Sequence, residues 1–245
     1  MAAKPNLNSK PSISVFFPCY NDAGSIGLLV EDANNLLKRL AGTYEIIVID
    51  DASKDESRKI LKRLKAKIPR LNLVFHKENM GYGGALKSGF KNAKYEWVFY
   101  TDGDGQYDVK ELEKLIELIS KKVDVIQGYK IKRSDPSYRL VIGRTYHYFS
   151  TFLFNLKIKD VDCDFRLVRK KALDDISLKY NSGVICVELV KKLQDRGYRF
   201  VETGVHHYPR LYGHSQFFNY KRIMKTLFEL AELWISLQGQ NYEKQ

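Results

Sequence analysis

Cysteine and long apolar runs are both scarce in this sequence. The chain has three cysteines in 245 residues, an odd and low count that excludes a disulfide scaffold and favours a reducing, cytosolic setting. No apolar run approaches the ~18–20 residues that a membrane-crossing helix needs, and the first residues lack the apolar core of a secretory signal. These absences predict a soluble or peripheral protein.

Acidic residues are outnumbered by basic ones. The chain carries 41 Lys and Arg against 29 Asp and Glu, a formal net charge of +12, and 44% of its residues are hydrophobic. That apolar content excludes wholesale disorder, and the length fits one large α/β domain or at most two small ones. The positive charge indicates an anionic partner, which composition alone leaves open between nucleic acid, an anionic membrane and phosphorylated substrates.

Strands and helices are predicted to alternate along the first half of the chain. Residues 1–11 read as a short disordered tail. Continuous apolar runs are typical of buried parallel strands, and apolar residues three or four apart are typical of helices. These patterns predict strands at 13–17, 45–49, 71–75, 97–101 and 123–127, and helices at 26–40, 55–67, 85–93 and 109–120. Such alternation favours βαβ units and a mostly parallel sheet.

The pattern is looser after residue 130. A basic stretch at 130–144 leads into an aromatic-rich segment at 146–154. Further strands are predicted at 165–168 and 200–205, with helices at 184–193 and 220–237, the last of them amphipathic. We expect the second half to extend the same sheet. Residues 12–216 would then form a single α/β domain, followed by a C-terminal helix and tail at 217–245.

Polar loops follow four of the predicted strands. In an open parallel sheet, ligands bind beyond the carboxyl ends of the strands. The segments there are acidic or rich in glycine, and they contribute Asp22, Asp50, Asp51, Asp55, Asp102 and Asp104. Carboxylates gathered in one cleft repel and raise one another's pKa. A divalent cation would relieve that repulsion.

The spacing of Asp102 and Asp104 predicts a metal site. With one residue between them, they present two carboxylates on one side of a bend, and Gln106 adds a third oxygen donor. Hard oxygen ligands with open positions suit Mg²⁺ or Mn²⁺ that holds a diphosphate. Turn and helix-cap chemistry is the structural alternative, for Asp50 and Asp51 in particular.

The glycine-rich segment 81–84 argues against two common nucleotide-binding classes. It has neither the G-x-G-x-x-G order of dinucleotide folds nor the G-K-S/T of a P-loop. An NAD enzyme and a Walker-type ATPase are therefore not expected. The histidines 206, 207 and 214 lack the ligand spacing of zinc sites. Cys19 reads as a small filler within the first loop and not as a nucleophile, and Cys163 and Cys186 read as buried hydrophobes.

Taken in order, these loops resemble family 2 glycosyltransferases of the GT-A (Rossmann-like) fold. The matching positions are Pro18-x-Tyr20-Asn21-Asp22, Asp50-Asp51-x-Ser53-x-Asp55, Asn79-x-Gly81-x-Gly83 and Asp102-x-Asp104-x-Gln106. In the second half they are Lys132-Arg133-x-Asp135, Arg139, Asp162-Cys163-Asp164-Phe165-Arg166 and Arg210-x-x-Gly213-x-Ser215. These last motifs resemble the branch of dolichyl-phosphate mannose synthases and polyprenyl-phosphate glycosyltransferases, and the resemblance covers residues 12–216.

The resemblance implies roles for particular residues. Donor-binding residues would be Pro18, Tyr20, Asp22, Asp50, Asp51, Asp55, Asn79, Gly81, Asp102 and Asp104, of which the first five contact the base and ribose. Asp102, Asp104 and Gln106 would hold the metal, and the catalytic residues would be Asp104, Arg133 and Arg166. Arg133, Arg139, Arg166, Arg210 and Ser215 would bind the acceptor phosphate. Two departures stand out: Asp22 replaces the usual Glu, and Gly103 and Gly105 replace bulkier residues, which would loosen their loop.

The implied reaction transfers a sugar from GDP-mannose or a UDP-sugar to a polyprenyl or dolichyl phosphate, with inversion and with Mg²⁺ or Mn²⁺. Peripheral contact with the cytoplasmic face of a membrane is expected, since Lys157, Lys159, Lys221, Arg222 and Lys225 flank the segments 146–154 and 220–237. A homo-oligomer or a separate membrane-anchor partner would be compatible. These segments would otherwise pack on the core or on a second subunit.

Other interpretations stay open at this point. The same fold could act on a soluble saccharide or protein acceptor. A nucleotidyltransferase shares the α/β architecture, although it usually has a glycine-rich basic signature where this chain has 18–22. A basic nucleic-acid-binding protein would explain the charge but not a carboxylate cluster that repels phosphate.

Overall fold

A seven-stranded sheet forms the centre of the molecule. The computed structural model describes residues 10–131, 137–210, 212 and 220–242, with the backbone alone at 137–144, 220–223 and 239–242. The strands are β1 (Ser12–Cys19), β2 (Thr43–Asp50), β3 (Leu71–Phe75), β4 (Trp97–Thr101), β5 (Val125–Lys130), β6 (Phe165–Arg169) and β7 (Phe200–Val205). Their order across the sheet is β3-β2-β1-β4-β6-β5-β7.

Helices cover both faces of this sheet. They are α1 (Ile26–Leu40), α2 (Ser57–Lys67), α3 (Gly81–Asn92), α4 (Leu112–Ile116), α5 (Ser137–Phe154), α6 (Lys170–Asp174), α7 (Val184–Asp195) and α8 (Tyr220–Tyr242), with a 3₁₀ turn at Val109–Glu111 before α4. The single-domain α/β fold with a mostly parallel sheet is as predicted. The expected tail at 1–11 and the residues between 212 and 220 lie largely outside the described residues.

One strand runs against the others and thereby adds residues to the ligand-binding edge. β6 pairs antiparallel with both β4 and β5, whereas β1 pairs parallel with β2 and β4, β2 with β3, and β5 with β7. The N-terminal end of β6 therefore lies beside the carboxyl ends of β4 and β5. This reversal brings the segment before Phe165 to the edge where the acidic loops meet.

Alternation of side chains divides the core between the two faces. Val15 and Phe17 of β1 pack with α1 and α2 on one face, while Phe16 packs with α3 and α7 on the other. Phe16 lies against Phe90 and Tyr100 with ring centroids 5.2 and 5.4 Å away. The sheet is covered on both sides, as a parallel sheet requires.

Several predicted bounds need correction. The helix expected at 85–93 begins at Gly81, so the glycine-rich segment is its first turn and not a loop before it. The helix expected at 109–120 is a 3₁₀ turn followed by a helix that ends at Ile116. The helix expected at 55–67 begins at Ser57, and the aromatic-rich segment belongs to α5. The strand at 71–75, the strand at 97–101 and the helix at 26–40 are as predicted.

Helix α8 packs on the core along one side only. Leu230, Leu233 and Leu237 are buried in a third apolar cluster with residues of α5 and α7. Phe228 and Ile235, on another side, are 72% and 65% exposed. Among the described residues, no helix is long and apolar enough to span a bilayer.

Candidate functional site

The first two strand-end loops are locked together by hydrogen bonds. Asn21 has φ 58° and Ala52 has φ 63°, so each loop turns through the left-handed region, which is uncommon for residues other than glycine. The Asn21 amide donates to Ser53 Oγ at 3.0 Å, and the Lys54 amide donates to Asn21 Oδ1 at 2.8 Å. Such strained backbone is typical of functional sites, where surrounding contacts hold it in place.

Asp51 caps the glycine-rich helix. Its carboxylate accepts hydrogen bonds from the amides of Met80 at 2.8 Å and Gly81 at 3.0 Å, at the N-terminus of α3. His76 Nδ1 lies 2.7 Å from the same carboxylate, and Asn79 Nδ2 donates to the Asp51 carbonyl at 3.1 Å. A negative charge at a helix N-terminus is stabilising. Asp51 and Asn79 therefore hold the end of β2 against the start of α3, and their contact with a nucleotide stays a prediction.

Glycines in α3 allow a close backbone approach. A Cβ on Gly81, which has φ +79°, would lie 2.7 Å from the carbonyl oxygen of Asn181, and a Cβ on Gly83 would lie 2.9 Å from Asn181 Cα. The Gly83 amide donates to that same Asn181 carbonyl at 2.8 Å. The glycines thus serve helix packing against the loop before α7.

Two further acidic residues are already partnered within the protein. Asp50 is fully buried and forms an ion pair with Arg58 of α2, although its Oδ1 has no hydrogen-bond partner. Asp55 accepts from the amides of Ala23 and Ser57, both at 3.0 Å, and so caps α2. The cap alternative thus accounts for Asp55 and Asp51, whereas Asp50 is held by a cation.

The sequence predicts that Gly103 and Gly105 loosen their loop. In the structure these glycines instead allow the loop to lie close to its neighbours. The Gly103 amide donates to the Pro18 carbonyl at 3.1 Å, and a Cβ on Gly103 would lie 2.5 Å from that oxygen. Ser25 Oγ donates to the Gly103 carbonyl at 2.7 Å. Gly105 has φ +76°, which favours glycine. The acidic loop is therefore fixed at both glycines.

The two carboxylates of the predicted metal site lie together but in different states. Asp104 is buried, its Oδ1 accepts from the Gln106 amide at 3.0 Å, and Arg210 Nη2 lies 2.5 Å from its Oδ2. Asp102 Oδ1 is buried without a hydrogen-bond partner. Burial raises the pKa of Asp102 well above its usual range, and the charges of Asp164 and Asp104 raise it further.

Asp22 lies beside these carboxylates. Its Oδ2 accepts from the Tyr20 amide at 3.0 Å. Burial raises the pKa of Asp22 to about 6, and the charge of Asp104 adds to the effect. The predicted clustering of Asp22, Asp102 and Asp104 is thus present, and it has the electrostatic cost that was expected.

Gln106 holds a neighbouring segment with its side-chain amide. Its Nε2 donates to the Tyr208 carbonyl at 3.1 Å, and its own carbonyl accepts from the Tyr208 amide at 2.8 Å. The residue therefore ties the acidic loop to the segment that carries Arg210. Its role as a metal ligand stays a prediction.

Arg166 is buried, whereas a residue that binds a substrate phosphate would be exposed. Its side chain is 1% exposed, and its guanidinium donates to Gln127 Oε1, to Tyr100 Oη at 2.5 Å and to the Val161 carbonyl. Its Nη1 lies 3.7 Å from Asp164. A guanidinium with its donors engaged in the core supports the wall of the site, so direct contact with an acceptor phosphate stays a prediction.

Sequence reasoning missed a polar group behind Asp102. Asp164 accepts from Cys186 Sγ at 3.2 Å, so Cys186 is a hydrogen-bonding residue as well as a buried one. The hydroxyl of Tyr82 is buried without a hydrogen-bond partner, and the charges of Asp102 and Asp164 both raise its pKa after burial does. Asp164 belongs to the sequence motif at 162–166, but only the reversal of β6 shows that it lies beside Asp102.

The remaining predicted phosphate contacts are only partly described. Arg133 and Ser215 lie outside the described residues, and Arg139 belongs to the part of α5 that is described by its backbone alone. The histidines have separate positions: His206 Nδ1 lies 2.7 Å from Glu111, and His207 packs on Tyr107. Arg210 is thus the predicted phosphate contact that the structure brings to the carboxylates.

The chain was compared with known proteins. Residues 14–177 match the family model described as "Glycosyl transferase family 2". A dolichyl-phosphate beta-glucosyltransferase of Saccharomyces cerevisiae is 29% identical over 204 residues, covering 70% of this chain and 60% of the yeast protein. An undecaprenyl-phosphate 4-deoxy-4-formamido-L-arabinose transferase of Yersinia enterocolitica is 24% identical over 220 residues, covering 89% and 66%. The chain therefore spans less than two thirds of the length of either relative.

Solved structures share the fold at low identity. Glucosyl-3-phosphoglycerate synthase from Mycobacterium tuberculosis, solved with Mn²⁺ and UDP, has a TM-score of 0.63 at 15% identity, covering 92% of this chain and 79% of its own. A Pyrobaculum calidifontis mannosyltransferase, solved with GDP-mannose and Mn²⁺, has a TM-score of 0.61 at 19% identity, covering 86% and 60%. These likenesses confirm the GT-A fold. Because the family match covers more than half of the chain, the protein belongs to glycosyl transferase family 2.

Proposed function

We propose that this protein transfers a sugar from a nucleoside-diphosphate sugar to a polyprenyl phosphate, with inversion at the anomeric carbon and with a divalent cation. The observation that carries the proposal is the pair Asp102 and Asp104 at the carboxyl edge of the sheet, with Asp102 Oδ1 buried and unpartnered. The yeast and Yersinia relatives are named for lipid-phosphate acceptors. Family membership favours this transferase over a nucleic-acid-binding module.

The residues present fit a hard divalent cation. Carboxylate oxygens are the ligands that Mg²⁺ and Mn²⁺ prefer, and an unpartnered buried carboxylate oxygen is costly unless something binds it. Asp102 and Asp104 would hold the cation, with Gln106 beside them. When bound, the cation would stabilise the charge that grows on the departing diphosphate.

The donor would lie along the ends of β1 and β2. Pro18, Tyr20 and Asp22 belong to the first loop, and the carboxylate of Asp22 would accept hydrogen bonds from the base or ribose. Asp50, Asp51, Asp55, Asn79 and Gly81 fix the loops around this position by the contacts described above. The donor would be GDP-mannose or a UDP-sugar.

The acceptor would need cations and no general base. A phosphomonoester has a second pKa of about 6 and is already an anion at pH 7. It therefore attacks without losing a proton, provided that positive charge holds it beside the donor diphosphate. Arginine suits this task because its planar fork binds phosphate bidentately. We assign the task to Arg210 together with Arg133, Arg139 and Ser215, and we assign to Arg166 the support of Asp164 and Tyr100.

A transfer assay with a matched control tests the proposal. Purified protein is incubated with GDP-mannose or a UDP-sugar, a polyprenyl phosphate and Mn²⁺, and the glycolipid is measured by mass spectrometry. Asp102→Asn should abolish product, whereas Asp108→Asn should retain it, because Asp108 caps the 3₁₀ turn six residues further along. Full activity in Asp102→Asn would refute the metal role. Transfer to a soluble phosphorylated acceptor and not to the lipid would refute the acceptor class.

The outer side of α8 fits contact with a membrane surface. Leu227, Phe228, Trp234 and Ile235 are all at least 40% exposed and lie within an arc of ~120° at 3.6 residues per turn. The basic residues 221, 222 and 225 precede this arc. Such a helix binds in the plane of an anionic interface. On α5, Tyr148, Phe149 and Phe152 are also exposed. We therefore infer a peripheral position at the cytoplasmic face.

Tryptophan fluorescence can test the membrane contact directly. The chain has two tryptophans, and Trp97 is 1% exposed in the core, so a quencher in the bilayer reaches Trp234 alone. Anionic vesicles with brominated acyl chains should quench the wild type and should not quench a Phe228→Ser, Ile235→Ser variant. Leu28→Ser on α1, where Leu28 is 65% exposed, is the matched control and should behave as wild type. An unquenched wild type would refute the contact.

A further inference from the structure

Arg210 lies where a cation is expected. Its Nη2 and Nε are 2.5 and 3.2 Å from the same oxygen, Asp104 Oδ2. The charges of Asp22 and Asp102 act on the same guanidinium. We propose that Arg210 occupies the cation position in the metal-free protein and leaves Asp104 when a divalent cation binds. The inference rests on the cation of the proposed function and adds an exchange between two positive groups.

The two groups compete for the same oxygen. The other oxygen of Asp104 is engaged by the Gln106 amide at 3.0 Å, so Oδ2 is the one that faces the guanidinium. Mg²⁺ binds oxygen at ~2.0–2.1 Å and demands near-ideal octahedral geometry. The guanidinium nitrogen at 2.5 Å occupies a lone pair of Oδ2 that such an ion would use, and two positive charges on one oxygen repel. Cation and arginine are therefore alternative partners of Asp104.

Arg210 stays near the site whether or not its side chain is bound to Asp104. Tyr208, two residues earlier, is fixed to Gln106 by two hydrogen bonds of 2.8 and 3.1 Å. The side chain of Arg210 itself is 25% exposed, so it has room to turn away from Asp104. A released guanidinium stays on the same edge of the sheet. It then becomes available to a phosphate oxygen at the moment when the cation arrives.

The exchange has two uses. In the metal-free protein, the guanidinium offsets the repulsion among Asp22, Asp102 and Asp104, which would otherwise destabilise the fold. Once the cation takes over that role, the same guanidinium supplies positive charge to the substrates. Phosphate binding by Arg210 would thus follow cation binding, so that the site is assembled in order.

Cation affinity without nucleotide tests the inference directly. Free Mn²⁺ is measured by electron paramagnetic resonance during titration of the whole protein at 0.15 M salt. Arg210→Gln should bind Mn²⁺ about fivefold more tightly than wild type, the fold-change that corresponds to loss of one competing ion pair worth ~1 kcal/mol. The same variant should lose transfer activity, because the charge needed by the phosphates is gone.

A matched variant separates competition from simple loss of positive charge. Arg199 forms an ion pair with Asp124 at 3.1 Å, away from the acidic loops. Arg199→Gln removes the same charge and should leave the Mn²⁺ affinity unchanged, since the Debye length is ~8 Å at this salt concentration. Unchanged or weaker Mn²⁺ binding in Arg210→Gln would overturn the inference, as would equal tightening in Arg199→Gln.

Failure of the exchange is distinguishable from failure of the proposed function. Asp104→Asn should remove Mn²⁺ binding in both the wild-type and the Arg210→Gln backgrounds. Mn²⁺ binding that depends on Asp104 but not on Arg210 would overturn the exchange and leave the cation site standing. Absence of Mn²⁺ binding in every variant, together with intact transfer activity in a chelator, would overturn both.

Discussion

Replacing Asp51 with asparagine is expected to destabilise the protein by about 3 kcal/mol. In the native structure the Asp51 carboxylate accepts from the amides of Met80 and Gly81 at 2.8 and 3.0 Å, and His76 lies 2.7 Å away. The residue is 3% exposed, so water cannot replace a lost partner. Asparagine keeps one acceptor oxygen but turns an NH₂ group toward a backbone donor.

The magnitude follows from what that substitution removes. One hydrogen bond to a charged group is lost, worth ~1.5–3 kcal/mol, and one buried amide is left unsatisfied at a cost of ~1–3 kcal/mol. Loss of the negative charge at the N-terminus of α3 adds ~0.3–1 kcal/mol. Partial relaxation of the loop offsets some of this total. For a chain of this size, ~3 kcal/mol corresponds to a fall in Tm of roughly 6–12 °C.

Guanidinium unfolding followed by circular dichroism measures the change. Asp32→Asn is the matched control: Asp32 forms an exposed ion pair with Lys110 at 3.1 Å, and its loss should change the free energy of unfolding by less than about 0.5 kcal/mol. An Asp51→Asn variant with the wild-type midpoint would refute the capping role. If that variant also lost nucleotide-sugar binding, Asp51 would act on the donor directly, as the family resemblance implies.

Three further changes have outcomes that the structure fixes. Gly89→Ala would place a methyl group 2.3 Å from two carbons at the edge of the Phe16 ring and should lower the free energy of unfolding by ~1–3 kcal/mol, measured by chemical denaturation. Asp22 has a folded pKa of about 6, above its unfolded value of ~3.9. Asp22 should therefore contribute a loss of up to ~3 kcal/mol of stability in the metal-free protein as the pH rises from 4 to 6, measured as the difference between the pH profiles of the wild type and Asp22→Asn. Arg166→Met strands three buried acceptors and should cost ~3–5 kcal/mol, whereas unchanged thermal stability would contradict its place in the core.

Strands β1 to β4 were predictable because each is a short apolar run that ends at a polar loop, whereas β5 begins and ends later than the run predicted at 123–127. β4 and β3 have the predicted bounds, and β1 and β2 extend the predicted runs by one to two residues at either end. The start of α3 was not predictable by the same means. Glycine disfavours helix, yet the helix begins at Gly81 because Asp51, 30 residues earlier, accepts from its first amides. A cap supplied from another strand leaves no local pattern.

The position of Arg166 was unpredictable for a related reason. Arginine near a predicted site suggests phosphate binding, and the local sequence gives no sign of burial. In the structure Arg166 lies opposite Tyr100 in the antiparallel pair of β6 and β4, and its partners Gln127 and Val161 come from different parts of the chain. The direction of β6 decides which way Arg166 points, and that direction is a property of the whole sheet.

The distribution of partners also changes the electrostatic argument for a cation. From the sequence, six carboxylates at one edge appeared to repel one another together. In the structure three of them are neutralised or capped by the protein itself: Asp50, Asp51 and Asp55. Burial and the charge of Asp104 raise the pKa of Asp22 to about 6, so that Asp22 is still mostly ionised at pH 7. The other three, Asp22, Asp102 and Asp104, lie together, and the raised pKa values of Asp22 and Asp102 reflect the cost of ionising buried carboxyls side by side. The electrostatic argument for a divalent cation therefore rests on these three carboxyls and not on all six, and in the proposed exchange the cation takes the place of Arg210 on Asp104.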